Sequence, residues 1–156
     1  MRVLFFAGMI LLMFSCDSNR VYETNVDFKD RAWKINEPAT FEFQIADTTK
    51  KYNLLMDVRN SIDYPYARLF VNYQLKAQDS TTISKELIAV YLFDQKTGKP
   101  FGSSSIGDIY DHQFSLIKNH TFKKVGTYKM NIQQFMRMDT IPGILAVGLR
   151  VETVRK

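Results

Sequence analysis

From residue 40 onward the chain alternates between apolar and polar side chains with a period of two. In "TFEFQI" (40–45), Phe41, Phe43 and Ile45 fall on one side and Thr40, Glu42 and Gln44 on the other, which predicts a half-buried strand. "YNLLMDVRN" (52–60) repeats the pattern, with Leu54, Met56 and Val58 inward and Asp57 and Arg59 outward. "ARLFVNYQLK" (67–76) sets Leu69, Val71, Tyr73 and Leu75 against Arg68, Asn72, Gln74 and Lys76. "KELIAVYLFD" (85–94) differs: Ile88, Val90 and Leu92 are apolar on one face, and Leu87, Tyr91 and Phe93 on the other. That pattern predicts a central strand covered on both sides.

"DQKTGK" (94–99) then predicts a turn, with Gly98 free to take a left-handed conformation and Pro100 unable to donate to a ladder. "SSSIGDIYD" (103–111) is turn-rich, and "HQFSLIKN" (112–119) and "HTFKK" (120–124) predict two short strands. "GTYKMNIQQ" (126–134) restores alternation through Tyr128, Met130 and Ile132. "GILAVGLRVETV" (143–154) closes the chain with Leu145, Val147, Leu149 and Val151 inward. Helical signal is confined to "QQFMRM" (133–138), ahead of Pro142, and to a turn in "SIDYPY" (61–66), where Pro65 biases Tyr64 towards extended geometry. The expectation is an all-β protein, an antiparallel β-sandwich of about eight strands with little helix, jelly-roll or immunoglobulin-like. Trp33 is expected to plug one end of the core or a sheet edge.

The first residues follow another logic. Arg2 precedes an apolar run from Val3 to Phe14, shorter than the ~20 residues that a membrane-spanning helix needs. Such a run reads as the core of a signal peptide, residues 1–15. Ser15 and then Cys16 follow, and Cys16 is the only cysteine in the chain. "MFSC" resembles a lipobox, with Met13 where leucine is commonest and Phe14 where a small residue is. Cys16 is therefore the expected lipidation site, residues 16–20 a lipidated cysteine and short tether, and residues 21–156 a single domain. Two or three acyl chains, each buried methylene contributing roughly 0.8 kcal/mol, anchor a protein stably where one chain is marginal.

Composition agrees with a globular body: 46% of residues are hydrophobic, with 12 Phe and 8 Tyr to fill a core. With no thiol after Cys16, the domain holds no disulfide, thiolate nucleophile or cysteine metal site. The net charge of +5 is uneven, because residues 112–156 carry 8 basic against 2 acidic side chains. In a β-fold the two halves interleave, so this excess reads first as a solvated basic face and second as a docking surface for anionic headgroups or an acidic partner. Nucleic acid is not an expected partner of an exported protein.

Catalytic machinery is hard to assemble from these residues. No serine sits in a glycine-flanked elbow, and His112 and His120, eight apart, match neither a helical pair nor a zincin spacing. They read as surface or edge-strand histidines, and no metal, cofactor or small-molecule substrate is expected. Asp108 and Asp111, flanking "IY", are a candidate cation site, for Ca²⁺ if any, although a turn or strand cap explains them as well. The aromatic cluster of Tyr64, Tyr66, Phe70 and Tyr73 is the candidate interaction surface, with Asp63 and Arg68 as polar companions. Its bland alternative is that these rings cover the open end of the core. "DTT", "DST" and "DTI" resemble an O-glycosylation sequon of exported proteins and make Thr48, Ser80 and Thr140 candidate acceptors.

Taken together, "YNLLMDVRNSIDYPYARLFV", "GSSSIGDIYDHQF" and "GTYKMNIQQFMRMDTIPGILAVGLRVE", behind the lipobox, resemble the GldH gliding-motility lipoproteins of Bacteroidota. The most specific blocks are "RNSIDYPYARL", "GDIYD" and "MRMDTIPGILAVGLR", and the resemblance covers nearly the whole mature chain. It implies a cell-envelope lipoprotein tied to gliding and to the type IX secretion apparatus, without catalytic residues to carry across. The implied role is a non-enzymatic accessory or scaffold whose partners are the membrane, through its anchor, and envelope proteins. With one acid after the cysteine, in "CDSNR", rather than a cluster, the expected location is the outer membrane, facing the periplasm. The alternative is a glycan-binding periplasmic or surface lipoprotein that uses the tyrosines and Trp33 as an aromatic platform.

Overall fold

A computed structural model describes residues 18–155. The lipobox, Cys16 and Asp17 lie outside the described residues. The chain forms eleven strands: β1 (Arg20–Asp27), β2 (Ala32–Lys34), β3 (Ala39–Ile45), β4 (Tyr52–Ser61), β5 (Arg68–Ala77), β6 (Thr82–Tyr91), β7 (Ser103–Ile106), β8 (Ile109–His120), β9 (Gly126–Gln134), β10 (Thr140–Pro142) and β11 (Ile144–Thr153). The only helix among the described residues is a single 3₁₀ turn at Lys29–Arg31.

Two antiparallel sheets make a sandwich. One has the order β1-β11-β4-β8-β7 and the other β3-β9-β5-β6. A small β2–β10 ribbon sits apart from both. Leaving out the short β2, β7 and β10, the first strand pairs with the last, the second with the second-to-last, and so on inward to the hairpin of β5 and β6. That nesting is the jelly roll, which settles the topology that pattern alone leaves open.

The core lies where the alternation puts it. Phe41, Phe43, Ile45, Leu54, Met56, Val58, Leu69, Val71, Tyr73 and Leu75 are buried, joined by Met130, Ile132, Val147, Leu149 and Val151 from β9 and β11. Trp33 is buried, stacked on Phe28 at 5.0 Å, and its indole N–H donates to the Glu37 carbonyl at 2.9 Å. It closes the core rather than standing free as a stacking surface.

Several local expectations change. No helix forms at 133–138. β9 runs on to Gln134, whose buried amide accepts from the Met136 N–H and donates to the Met138 carbonyl, both at 2.8 Å, and so holds the following bend. The two short strands expected over 112–124 are one long strand, β8, and Phe122 beyond it is a buried loop residue. Register shifts against β4 near Leu54 break the alternation there, which hides the strand's full length from a period-two reading. Part of the turn-rich stretch, Ser103–Ile106, is β7, joined to β8 through Gly107 at φ +55°. Most consequential is β6: it is an edge strand, paired with β5 alone, and not a central one.

Candidate functional site

The outer face of the five-stranded sheet is built from register rows. One row crosses Asn25, Gly148, Asp57 and Gln113. The next crosses Asp27, Ala146, Arg59, Asp111 and Ser103. In both, β11 supplies only a glycine or an alanine between longer neighbours, so the sheet face sinks there into a trough of about 380 Å³. Gly148 has no room for more: a Cβ would collide with the Asn25 side chain and lie 3.2 Å from Asp57 Cβ.

Charge in the trough is ordered. Arg59 and Asp111 form a two-point pair, Nε to Oδ1 at 2.7 Å and Nη2 to Oδ2 at 3.1 Å, which raises the guanidinium pKa above its ordinary value. Beside it, Gln113 Nε2 donates to Asp57 Oδ1 at 2.9 Å. Burial pushes the Asp57 carboxyl above the usual range, and the Gln113 bond only partly offsets it. At the rim Arg150 bridges Glu23 (3.2 Å) and Glu152 (3.0 Å), and Arg20 meets Glu23 at 2.7 Å. Paired charges, amides and a flat β-floor suit recognition of another polar surface.

The residues singled out from sequence are dispersed. Tyr64 is buried, and its hydroxyl donates to the Arg68 carbonyl at 2.7 Å. Burial raises its pKa. Tyr66 packs edge-on against it at 5.7 Å and is partly exposed, its hydroxyl donating to Met138 Sδ at 2.7 Å. Of the pair, only Tyr66 presents ring surface. Tyr73 is buried as well. Asp63 lies in the exposed turn after β4, where it accepts from Ser61 Oγ at 3.5 Å. Arg68 sits on the outer face of the other sheet, its guanidinium over the Phe70 and Tyr91 rings at 5.2 and 5.5 Å.

Asp108 and Asp111 part company: Asp108 is in the β7–β8 turn, whereas the Asp111 carboxylate faces Arg59. Among the described residues no three His, Cys, Asp or Glu side chains gather as a metal site requires. His112 is not a surface histidine. It is buried, with its ring along Phe114 at 5.8 Å and Nε2 without a hydrogen-bond partner among the described residues. His120 is half-buried, edge-on to Phe122 at 4.6 Å. Thr48 lies in the β3–β4 bend and Ser80 in the β5–β6 turn at φ +66°, while Thr140 opens β10 on its exposed side. The basic residues late in the chain do not collect on one face. Arg150 is on the trough rim, and Lys129 pairs with Glu42 on the opposite sheet.

The trough was not picked out from the sequence. Its one legible sign was Gly148, a glycine inside an otherwise apolar strand pattern, where close approach of other groups is the usual reason.

Comparison with known proteins adds a family. Residues 20–151 match the model of the GldH lipoprotein family. The chain is 32% identical to the gliding motility lipoprotein GldH homolog of Christiangramia forsetii, over 96% of this chain and 94% of that one. It is 29% identical to the gliding motility lipoprotein GldH of Flavobacterium johnsoniae, over 91% and 90%. Among solved structures, the infectious bursal disease virus VP2 subviral particle gives a TM-score of 0.43 at 16% identity, over 89% of this chain and 33% of that one. That score is too low to carry anything further.

Proposed function

Because this chain belongs to the GldH lipoprotein family, we propose that it is a lipid-anchored envelope protein that serves gliding motility through protein contacts and not through catalysis. In this reading Cys16 carries the lipid, the outer membrane holds it, and the jelly roll faces the periplasm as an accessory or scaffold of the gliding and type IX secretion apparatus.

One observation carries the reading. Three stretches distant in sequence, those that bear the family resemblance, meet at one spot on the outer face of the five-stranded sheet. "RNSIDYPYARL" brings Arg59, "GDIYD" brings Asp111, and "MRMDTIPGILAVGLR" brings Ala146 and Gly148. A packing requirement does not demand a two-point ion pair on an exposed sheet face, since such pairs contribute at most ~1 kcal/mol to stability. Recognition does, because a shaped, charge-patterned face selects its partner. Protein is favoured over glycan because the tyrosine pair that a sugar ring would stack on is closed, with Tyr64 inside the core.

A photo-crosslinking residue at Gln113, on the trough wall, tests this in intact envelopes of the native host. Recovery of a gliding or secretion component is the expected result. Recovery of none, with the anchor and fold intact, overturns it.

A further inference from the structure

β6 has the sequence of a buried strand and the position of an open edge. On its outer side Leu87 and Tyr91 are 54% and 41% exposed, and Phe135, beyond β5, is 55% exposed. The strand is ten residues long and holds neither proline nor glycine. Natural edges are usually blunted by such residues, by brevity or by several charges. Here Lys85 and Glu86 are the only charges, and a single register shift occurs at the Thr82 end.

The direction of its free backbone groups follows from two hydrogen bonds. Leu92 N–H donates to the Ala67 carbonyl at 2.9 Å, and Phe135 N–H donates to the Phe70 carbonyl at 2.8 Å. Phe70, opposite Ala89, thus turns its carbonyl away from β6, towards β9. In an antiparallel ladder both polar groups of a residue point the same way, and alternate residues point oppositely. Ser84, Glu86, Ile88 and Val90 therefore bond to β5, whereas Lys85, Leu87, Ala89 and Tyr91 aim N–H and C=O at the open side.

We propose that β6 pairs antiparallel with β6 of a second copy of this chain, across a two-fold axis at Ile88. The free row from Lys85 to Tyr91 is centred on that residue, so this register gives every free group a partner. Leu87 then lies opposite Ala89 of the second copy, Lys85 opposite Tyr91, Glu86 opposite Val90, and Ile88 opposite itself. No like charges face each other. An axis at Lys85 or Glu86 opposes two like charges directly, and one at Leu87 brings the two Glu86 side chains diagonal to each other, within roughly 7 Å. The partner is thus read from the strand's own pattern, which is self-complementary in one register. Pairing joins the two four-stranded sheets into one continuous sheet with the two β6 strands at its centre. The axis runs normal to the sheet. Both five-stranded sheets consequently lie on the same side, and because β1 packs against β3, at the edge opposite β6, both β1 strands fall at the outer margins.

The test uses the full mature chain in detergent micelles, with protein mass per particle read by light scattering. Two chains per particle are expected for the wild type. Leu87→Pro removes an outward N–H that no strand of its own chain uses, and Leu87→Lys adds a charge at the free edge. Either change halves the mass per particle while the thermal transition of the fold is retained. Register is read by crosslinking: Ile88→Cys forms a symmetric disulfide above the wild-type background. Lys85→Cys does not, since its mate lies six residues along the paired strand, roughly 20 Å away. One chain per particle throughout, or crosslinking by Lys85→Cys and not by Ile88→Cys, overturns the proposal.

Discussion

Gly143 lies directly against the backbone of Tyr64. Its φ is +80°, and a Cβ built on it would come within 2.6 Å of the Tyr64 nitrogen and 2.7 Å of its Cα. Its carbonyl accepts from Ser61 N–H and its N–H donates to Arg31, both at 2.8 Å, so the loop cannot move aside without losing bonds. Gly143→Ala combines a left-handed backbone with a backbone collision and is expected to cost about 2–4 kcal/mol. Urea unfolding of the variant measures it; an unchanged midpoint would show that the two segments are not in contact.

Trp33 makes the second prediction. Trp33→Ala opens a large cavity in the core and should cost about 3–5 kcal/mol. Trp33→Phe keeps a ring on Phe28 but loses the bond to the Glu37 carbonyl, at about 1 kcal/mol. Because the chain has a single tryptophan, its native emission should be blue-shifted and resistant to a soluble quencher. Ready quenching in the folded state would contradict its burial.

Stability should fall on mild acidification. Burial lowers the pKa of His112 and of His120 from 6.5, with Asp111 opposing the shift at His112. The unfolded chain binds these protons at about pH 6.5 and the folded chain only below that, so protons favour unfolding. Their contribution is fully present above the unfolded value and is lost as the pH falls through the window down to the folded values. The urea midpoint should therefore drop between pH 7.5 and 5.5, and the drop should shrink in the double variant His112→Gln, His120→Gln. An equal drop in both proteins would place the effect elsewhere.

Arg59→Ala separates stability from recognition. An exposed pair of this kind is worth less than about 1 kcal/mol, so the melting curve should barely move. The yield of the Gln113 crosslink should nevertheless fall, and exchanging the two charges in Arg59→Asp, Asp111→Arg should restore part of it. Undiminished crosslinking in Arg59→Ala would remove the ion pair from the contact.

Where one face of a strand met the core and the other met water, as in β3, β4, β5 and β9, alternation alone located both strand and face. β8 reads as a shorter strand because register shifts scramble its period, and β1 is obscured because Val21 stands at an outward position with Glu23, Asn25 and Asp27, while Thr24 separates the inward Tyr22 and Val26. β6 was misassigned for a more instructive reason: its composition is that of a strand covered on both faces, and one chain by itself covers only one. The trough lay beyond reach because it depends on register. Asp57 and Arg59 read as outward strand residues and Asp111 as part of a turn, and nothing local to each says that Gly148 and Ala146 leave a hollow beside them. The tyrosines do not form one surface: Tyr64 and Tyr66 touch, but the turn after β4 folds Tyr64 inward to cap the core, and Tyr73 is buried within β5.

β1 is an edge strand bonded to β11 alone, and its first residue sits in the chain of charges Arg20, Glu23, Arg150 and Glu152. Any mechanical load entering from the N-terminal side arrives at this point. A pull along the strand shears the whole ladder from Arg20 to Asp27 at once, whereas a pull across it peels one residue pair at a time. The same domain is therefore strong in one direction and weak in the other, and the angle at which it is held decides how much force it transmits before its first strand lets go.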